Sequence, residues 1–300
     1  MKAKPPAYIP DSTHPGDWFV RQPRVARTVD DLRRLSTEAP NCESLRVVDF
    51  RREDDLREIE HLHHLRELEF TSCPISPDLI ERIGRYTSLA GLYLAESPDV
   101  NEGLLRAVSS CMPLLEHLVL YLCYSLDDRG VSLLAPLTHL RSLRLDHTTS
   151  LTDVGASVLA DLPALGALSL HGCYRLSDTT LDTLRRCPSL EILTLPDGAS
   201  FGEAALRHLF GNRSRLRRVS MSELDNVTDI VLAALADCEL IEYLYLFGCR
   251  SVTDSGIRSL GRLKNLKGLV VRLCRNVSAE SVAALRAGRS NAEFVHEPFS

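Results

Sequence analysis

Leucine returns along this chain at a beat that neither one helix nor one strand would set. The pattern Leu-x-x-Leu-x-Leu-x-x-Cys sits on Leu115, Leu118, Leu120 and Cys123, and recurs on Leu165/Leu168/Leu170/Cys173 and Ile241/Leu244/Leu246/Cys249. It appears again on Leu266/Leu269/Val271/Cys274 and, earlier, on Leu65/Leu68/Phe70/Cys73. Ten units begin at Leu45, Leu65, Leu89, Leu115, Leu140, Leu165, Leu190, Leu216, Ile241 and Leu266. The first interval is 20 residues and the others are 24 to 26. A fixed period of this size marks a solenoid, whose units cannot bury an apolar face alone and stack to share one core.

Within a unit, Leu-x-x-Leu-x-Leu alternates as a strand does, so one short parallel strand is expected per repeat. The ninth position is small where the chain turns inward: Cys, Ser97, Thr148 or Gly198, with Glu53 and Leu224 as exceptions. An apolar residue and a Thr/Ser-Asp pair follow, as in Leu151-Thr152-Asp153, Leu176-Ser177-Asp178, Val227-Thr228-Asp229 and Val252-Thr253-Asp254. The hydroxyl caps a helix and the Asp suits the positive end of its dipole. Leu181/Leu184, Leu206/Leu209, Leu232/Leu235 and Ile257/Leu260 then turn one helix face to the sheet. The predicted fold is an α/β solenoid, a curved horseshoe with parallel strands on the concave face and helices outside.

The ends follow the same logic. Thr28 to Cys42 reads as the helical half of a repeat whose strand has been dropped, and residues 1–27 as an N-terminal arm or cap. Trp18, Phe19 and Val20 are expected to cover the first repeat's open edge. Arg51 to His64 is expected to replace a helix by a tight connection. Residues 28–290 form the solenoid of about ten repeats, and 291–300 a C-terminal cap in which Phe294 seals the far end.

These residues resemble the cysteine-containing subclass of leucine-rich repeats, whose strand motif ends in Cys and whose helix starts with Ile/Leu/Val-Thr-Asp. The resemblance spans about residues 28–290 and implies a curved array that recognises proteins. In that family the array often serves F-box ubiquitin-ligase subunits. Residues 1–41 carry no Leu-Pro start leading into an F-box helical segment, so the adaptor role is not carried over.

Composition adds exclusions. A net charge of −5 gives no reason to expect a polyanionic partner, and 44% apolar residues suffice for a continuous core. No apolar run reaches membrane-span length, and the first residues lack a secretory core, so a cytoplasmic location is expected. Cys73, Cys123, Cys173, Cys249 and Cys274 take the ninth position; Cys42, Cys111, Cys187 and Cys238 lie three or four residues before a first leucine. Recurring slots point to small buried hydrophobes rather than zinc ligands. Neighbouring strands bring Cys249 and Cys274 close enough for a disulfide, yet free thiols are expected.

Strand residues flanking the leucines face solvent on the concave side. Two apolar patches are predicted there. One joins Tyr93 to His117, Val119, Tyr121 and Leu122; the other sets Tyr243, Tyr245 and Phe247 beside Val270, Arg272 and Leu273. Exposed aromatics with Arg concentrate binding energy, while lateral ring packing would only stiffen the ladder. Asp146, His147 and His171 meet across two units, with Asp146 and His171 in hydrogen-bond reach, as a hydrolytic pair, a metal site or a polar part of a binding face. Basic clusters lie at Arg213/Arg215/Arg217/Arg218 and Arg262/Lys264/Lys267/Arg272/Arg275, but acidic neighbours make nucleic acid an unlikely partner. No phosphate-binding glycine loop or nucleophile elbow occurs, and no cofactor or metal is expected. The sequence therefore predicts a non-enzymatic scaffold that binds another protein. A regulatory or substrate-recognition subunit of a multi-protein enzyme is the alternative, and self-association through the patches a third.

Overall fold

The computed structural model of the chain describes residues 23–211, 215–287, 289 and 293–297. The periodic leucines build twelve strands: β1 (Arg24–Ala26), β2 (Ser44–Val48), β3 (Glu67–Thr71), β4 (Gly91–Ala95), β5 (His117–Tyr121) and β6 (Ser142–Arg144). The second half continues with β7 (Ala167–Ser169), β8 (Ile192–Thr194), β9 (Arg218–Ser222), β10 (Tyr243–Phe247), β11 (Gly268–Arg272) and β12 (Glu293–Glu297). They pair in chain order, all parallel, in one open sheet with a helical segment after most strands.

Register makes the leucines a continuous interior. Leu45, Leu68, Leu92, Leu118, Leu143, Leu168 and Leu193 stand opposite one another from strand to strand, and all are buried. Each such side chain contributes about 1.5–3 kcal/mol by leaving water. From the other side, Leu181/Leu184, Leu206/Leu209, Leu232/Leu235 and Ile257/Leu260 close the core as expected.

Two expectations at the first repeat need correction. Leu45 pairs with Leu68 rather than standing level with Leu65, so it holds the second leucine position. Cys42 takes the first, and buried Phe50 fills the slot assigned to Glu53. Measured from Cys42 the interval is 23 residues, close to the others. Glu53–His61 is a 3-10 helix, the tight connection that a short unit requires. The preceding strand has not been dropped either: β1 pairs with β2 and places the sheet's start at Arg24, inside the region assigned to the arm. Three residues are too few for an alternation to be read. Thr28 then caps the helix Val29–Glu38 in a reciprocal box with Asp31. At the other end β12 pairs with β11 and Phe294 packs on the core. Trp18, Phe19, Val20 and Arg213 lie outside the described residues.

The Thr/Ser-Asp pairs cap their own helices and also join repeats. In the equivalent Asp127-Asp128 pair, the Asp128 carboxylate accepts from the amide and hydroxyl of Thr152 in the next unit, at 2.7 and 2.6 Å. Asp153 does the same for Ser177, Asp229 for Thr253 and Asp254 for Ser278. The carboxylate reaches this position because the third helical residue of the next unit is small or hydroxylated. At Gly155 a Cβ would stand 2.5 Å from Asp128 Oδ1 and 2.7 Å from its Cα. At the equivalent Thr180 the hydroxyl itself donates to Asp153, at 2.5 Å.

A second ladder runs along the turn after the strands. Asp49, Ser72, Glu96, Leu122, His147, Gly172, Glu223, Gly248 and Leu273 all have φ between 52° and 74°. This left-handed residue aims its amide at the next repeat: Glu96 N–H donates to the Tyr121 carbonyl at 2.9 Å and His147 N–H to that of His171 at 2.7 Å. Gly172 differs. The following turn is one residue longer, with Gly198 as its left-handed residue, and Gly172 N–H donates instead to the Asp197 carboxylate at 2.6 Å. The cysteine that follows the turn is buried, and its thiol donates back to the preceding repeat, as from Cys173 to the Leu145 carbonyl at 3.0 Å. All nine cysteines are free thiols, and burial pushes that of Cys123 up to about 12.

Two outcomes follow from the carboxylate ladder. Gly155→Val should lower the unfolding free energy by about 1–3 kcal/mol, read from the urea midpoint, because the added branch meets Asp128 backbone. The Ser278 amide, then the Ser281 and Ser278 hydroxyls, hold the Asp254 carboxyl below its ordinary value. A depressed folded-state pKa stabilises above the unfolded value of about 3.9 and is lost as pH falls through the folded one. Asp254→Asn should therefore be less stable than the parent at pH 7, with the gap closing below about pH 4 in parallel denaturation curves.

Candidate protein-binding surface

Alternation sends every second strand residue away from the core onto the concave wall. The residue between the two close leucines is Arg46 in β2, then Glu69, Tyr93, Val119, Arg144 and Ser169 in β3 to β7. It is Thr194, Ser220, Tyr245 and Val270 in β8 to β11.

The first predicted patch is not an exposed surface. Tyr93 is 1% exposed and Tyr121 8%, and with Ala95 and Val119 they form an apolar cluster separate from the leucine core, with Leu122 packed against it. The Tyr93 ring lies back over Gly91, where a Cβ would come within 2.9 Å of it. Burial, then Glu67 and Glu69, raise the Tyr93 phenol well above its ordinary value. His117 is half-buried, and burial lowers its pKa. Exposure on this wall depends on more than the direction in which a side chain leaves the sheet.

The second patch is open. Tyr243, Tyr245, Phe247, Val270, Arg272 and Leu273 are all part-exposed. Register sets Tyr245 against Val270 and Phe247 against Arg272. Tyr243 is held from two sides: the Arg218 guanidinium lies 4.6 Å from its ring centroid, and Gly268 leaves room for the ring edge on β11. Tyr243, Tyr245, Gly268, Val270, Arg272, Glu293 and Val295 line a shallow depression of about 130 Å³. Arg272 pairs with Glu297 at 3.1 Å on β12. Large apolar faces beside a tethered guanidinium suit a protein surface, and the small depression suits one inserted side chain.

The polar constellation resolves differently from its expected pairing. Asp146 is buried and accepts from Arg144 Nε at 3.0 Å and Ser169 Oγ at 2.5 Å. His171 turns instead to Asp197, with Nδ1 3.2 Å from Oδ1. Tyr121, His147 and His171 form a chain of edge-on rings, 5.8 and 5.0 Å between centroids. Burial and then His171 lower the His147 pKa. A carboxylate saturated by Arg144 and Ser169 does not activate His171. Beside these rings stand exposed Tyr124 and Tyr174, which sequence reasoning passed over although each directly follows a motif cysteine. Arg218 was read only as part of a basic cluster. Arg217 of the same cluster pairs with Glu191 and Glu242; in the second basic cluster Lys267 pairs with Glu242 and Arg262 with Asp237.

Repeats, capped outer helices and a ligand-sized wall define a leucine-rich-repeat solenoid, and the comparisons agree. The family model described as Leucine Rich repeat matches residues 61–78 and 137–160, and the chain has the leucine-rich-repeat fold. The crystal structure of the Rad7 and Elc1 complex in yeast is similar at TM-score 0.61 and 19% identity, over 89% of this chain and 77% of that one. A TLR13–ssRNA13 complex is similar at TM-score 0.58 and 17% identity, over 86% of this chain but only 36% of that one. No curated protein sequence matches the chain. No helix among the described residues is long and apolar enough to cross a membrane.

Burial separates the two tyrosines that share a wall position. Tyr93→Ala should cost about 3–5 kcal/mol, the range for an aromatic removed from a packed interior. Tyr245→Ala should cost clearly less, since its ring is already part-solvated. Urea midpoints of the two single variants check the order.

Proposed function

We propose that the protein is a non-enzymatic recognition scaffold that binds another protein through the open part of its concave wall. The observation that carries this reading is the part-exposed block of Tyr243, Tyr245, Phe247, Val270, Arg272 and Leu273 on adjacent strands. Aromatics fixed by their neighbours lose little freedom on binding, and Arg218 and Gly268 fix Tyr243 before a partner arrives. In this reading Tyr93, His117, Tyr121 and Leu122 support the wall from its other half. The five cysteines in the ninth slot favour the cysteine-containing subclass, and one solenoid with an arm before it and a cap after it. Nine free thiols fit a reducing compartment such as the cytoplasm.

A role as recognition subunit in a larger assembly draws support from one comparison, since the similar repeat chain was crystallised in a complex of Rad7 and Elc1. Catalysis would then reside on another chain, in keeping with an Asp146 that Arg144 and Ser169 already occupy.

The test is a pull-down with the wild type against the Tyr245→Ala/Phe247→Ala double variant. A partner held by this block should be lost from the variant, with affinity down by at least about 30-fold if one hot-spot's worth, ~2 kcal/mol, is removed. The melting curve should stay cooperative. Equal capture by both proteins would remove the block from the binding site.

A further inference from the structure

Tyr124 and Tyr174 are 59% and 50% exposed, in turns beyond the strand ends. Each directly follows a motif cysteine, so the two hold equivalent places two repeats apart, about 10 Å along the sheet's edge. The repeat between them puts the shorter Thr149 in that place. Beside them lie the His147 and His171 rings, edge-on at 5.0 Å between centroids and both part-exposed. Four rings thus follow one another on the strand-end edge of three consecutive repeats. The fold does not demand the tyrosines, since other repeats fill the same place with Pro98, Asp225 or Arg250. Exposed rings that cluster, unlike those scattered singly, are where a partner gains binding energy.

Charge narrows the choice of partner. At the strand starts, carboxylates are matched by cations: Glu116 by Arg141, Glu191 by Arg217, and Glu242 by Arg217 and Lys267. At the strand ends they are not. Among the described residues, no Lys or Arg pairs with Glu96, Asp99, Asp197, Glu223 or Asp225, and all but Asp197 are exposed. The strand-end turns between Glu96 and Asp225 carry a single arginine, Arg175. The negative field reaches the rings. Burial and then Asp197 raise the Tyr174 phenol, with Glu223 and Tyr124 contributing. Burial, then Asp146 and Glu96, do the same to Tyr121. A cation with a flat face suits both features. Guanidinium stacks on aromatic rings and donates in a fork to carboxylates, whereas an ammonium is a compact, strongly hydrated point charge.

We propose that the edge running from Tyr124 past His147, His171 and Tyr174 to Glu223 is a second docking surface, and that its occupant is an arginine-bearing basic segment of a partner protein. Four strand spacings, about 19 Å, separate the repeat of Tyr124 from that of Glu223, and about six extended residues cover that length. Guanidinium groups of the segment lie against the tyrosine and histidine rings and pair with the carboxylates that lack a cation. This surface follows the edge of the array, whereas the Tyr245 block lies on its concave wall. Neither reading depends on the other, so the two fail separately.

The probes are labelled peptides of about twelve residues, twice that span, one alternating Arg and Gly and the other Lys and Gly. The full chain is titrated into each and fluorescence anisotropy is read. The wild type should bind the arginine peptide several-fold more tightly than the lysine peptide, and added salt should weaken both. Tyr124→Ser/Tyr174→Ser should weaken the arginine peptide by about tenfold, the scale of two exposed cation–π contacts, with the circular dichroism unchanged. Glu223→Gln/Asp225→Asn should weaken both peptides, and Tyr245→Ala/Phe247→Ala neither. Absent binding, or equal affinity for the two peptides, overturns the proposal and needs no variant that folds. Full affinity in the folded Tyr124→Ser/Tyr174→Ser variant also overturns it, by reducing the attraction to charge alone. Loss confined to Tyr245→Ala/Phe247→Ala overturns it by moving the segment to the concave block, and leaves the scaffold reading intact.

Discussion

No strand leucine among the described residues is dry on its own account. Each stands beside the equivalent residue of the neighbouring repeats, so a unit's interior is completed by the units next to it. Strand pairing, capped outer helices and left-handed turns all serve that mutual cover by holding successive units in one register. The fold is the sum of its joints, and its stability is distributed among them.

The joints are made three times over, by different groups at different depths. Backbone amides at the strand ends reach the next carbonyl, thiols in the narrow part of the interior reach back, and carboxylates at the helix starts reach forward. The glycine or hydroxyl at the third helical position belongs to the same device, because it leaves the carboxylate room. Charge at the Asp of each Thr/Ser-Asp pair is thus structural, and the chemistry available for recognition is left to the wall.

Much of this was legible in the leucine spacing and in the cap residues, because both depend on contacts between equivalent positions that the sequence repeats. The first repeat misled because Cys42 stands where a leucine was sought, and Leu45 then passed for the start of the unit. Strand β1 is too short to show alternation. The wall was half legible. Alternation correctly sends Tyr93 and Tyr245 out of the core, but does not tell that one is buried in a second apolar cluster and the other part-exposed, since that depends on the packing around each ring. Matching positions link Asp146 to His171, while Arg144, two residues earlier at the end of β6, is the stronger claimant. Asp197 is invisible in the sequence as a partner of His171 because its turn is one residue longer than the repeat predicts.

That shift gives the array a seam. Among the described turns, the one between the sixth and seventh repeats has its main-chain bond replaced by the Asp197 side chain, which also holds His171. It falls where the dry stretch of wall gives way to the wet one. A carboxylate can let go of an amide by rotating, without any backbone rearrangement, so bending concentrated there would tilt one half of the horseshoe against the other while both halves keep their packing.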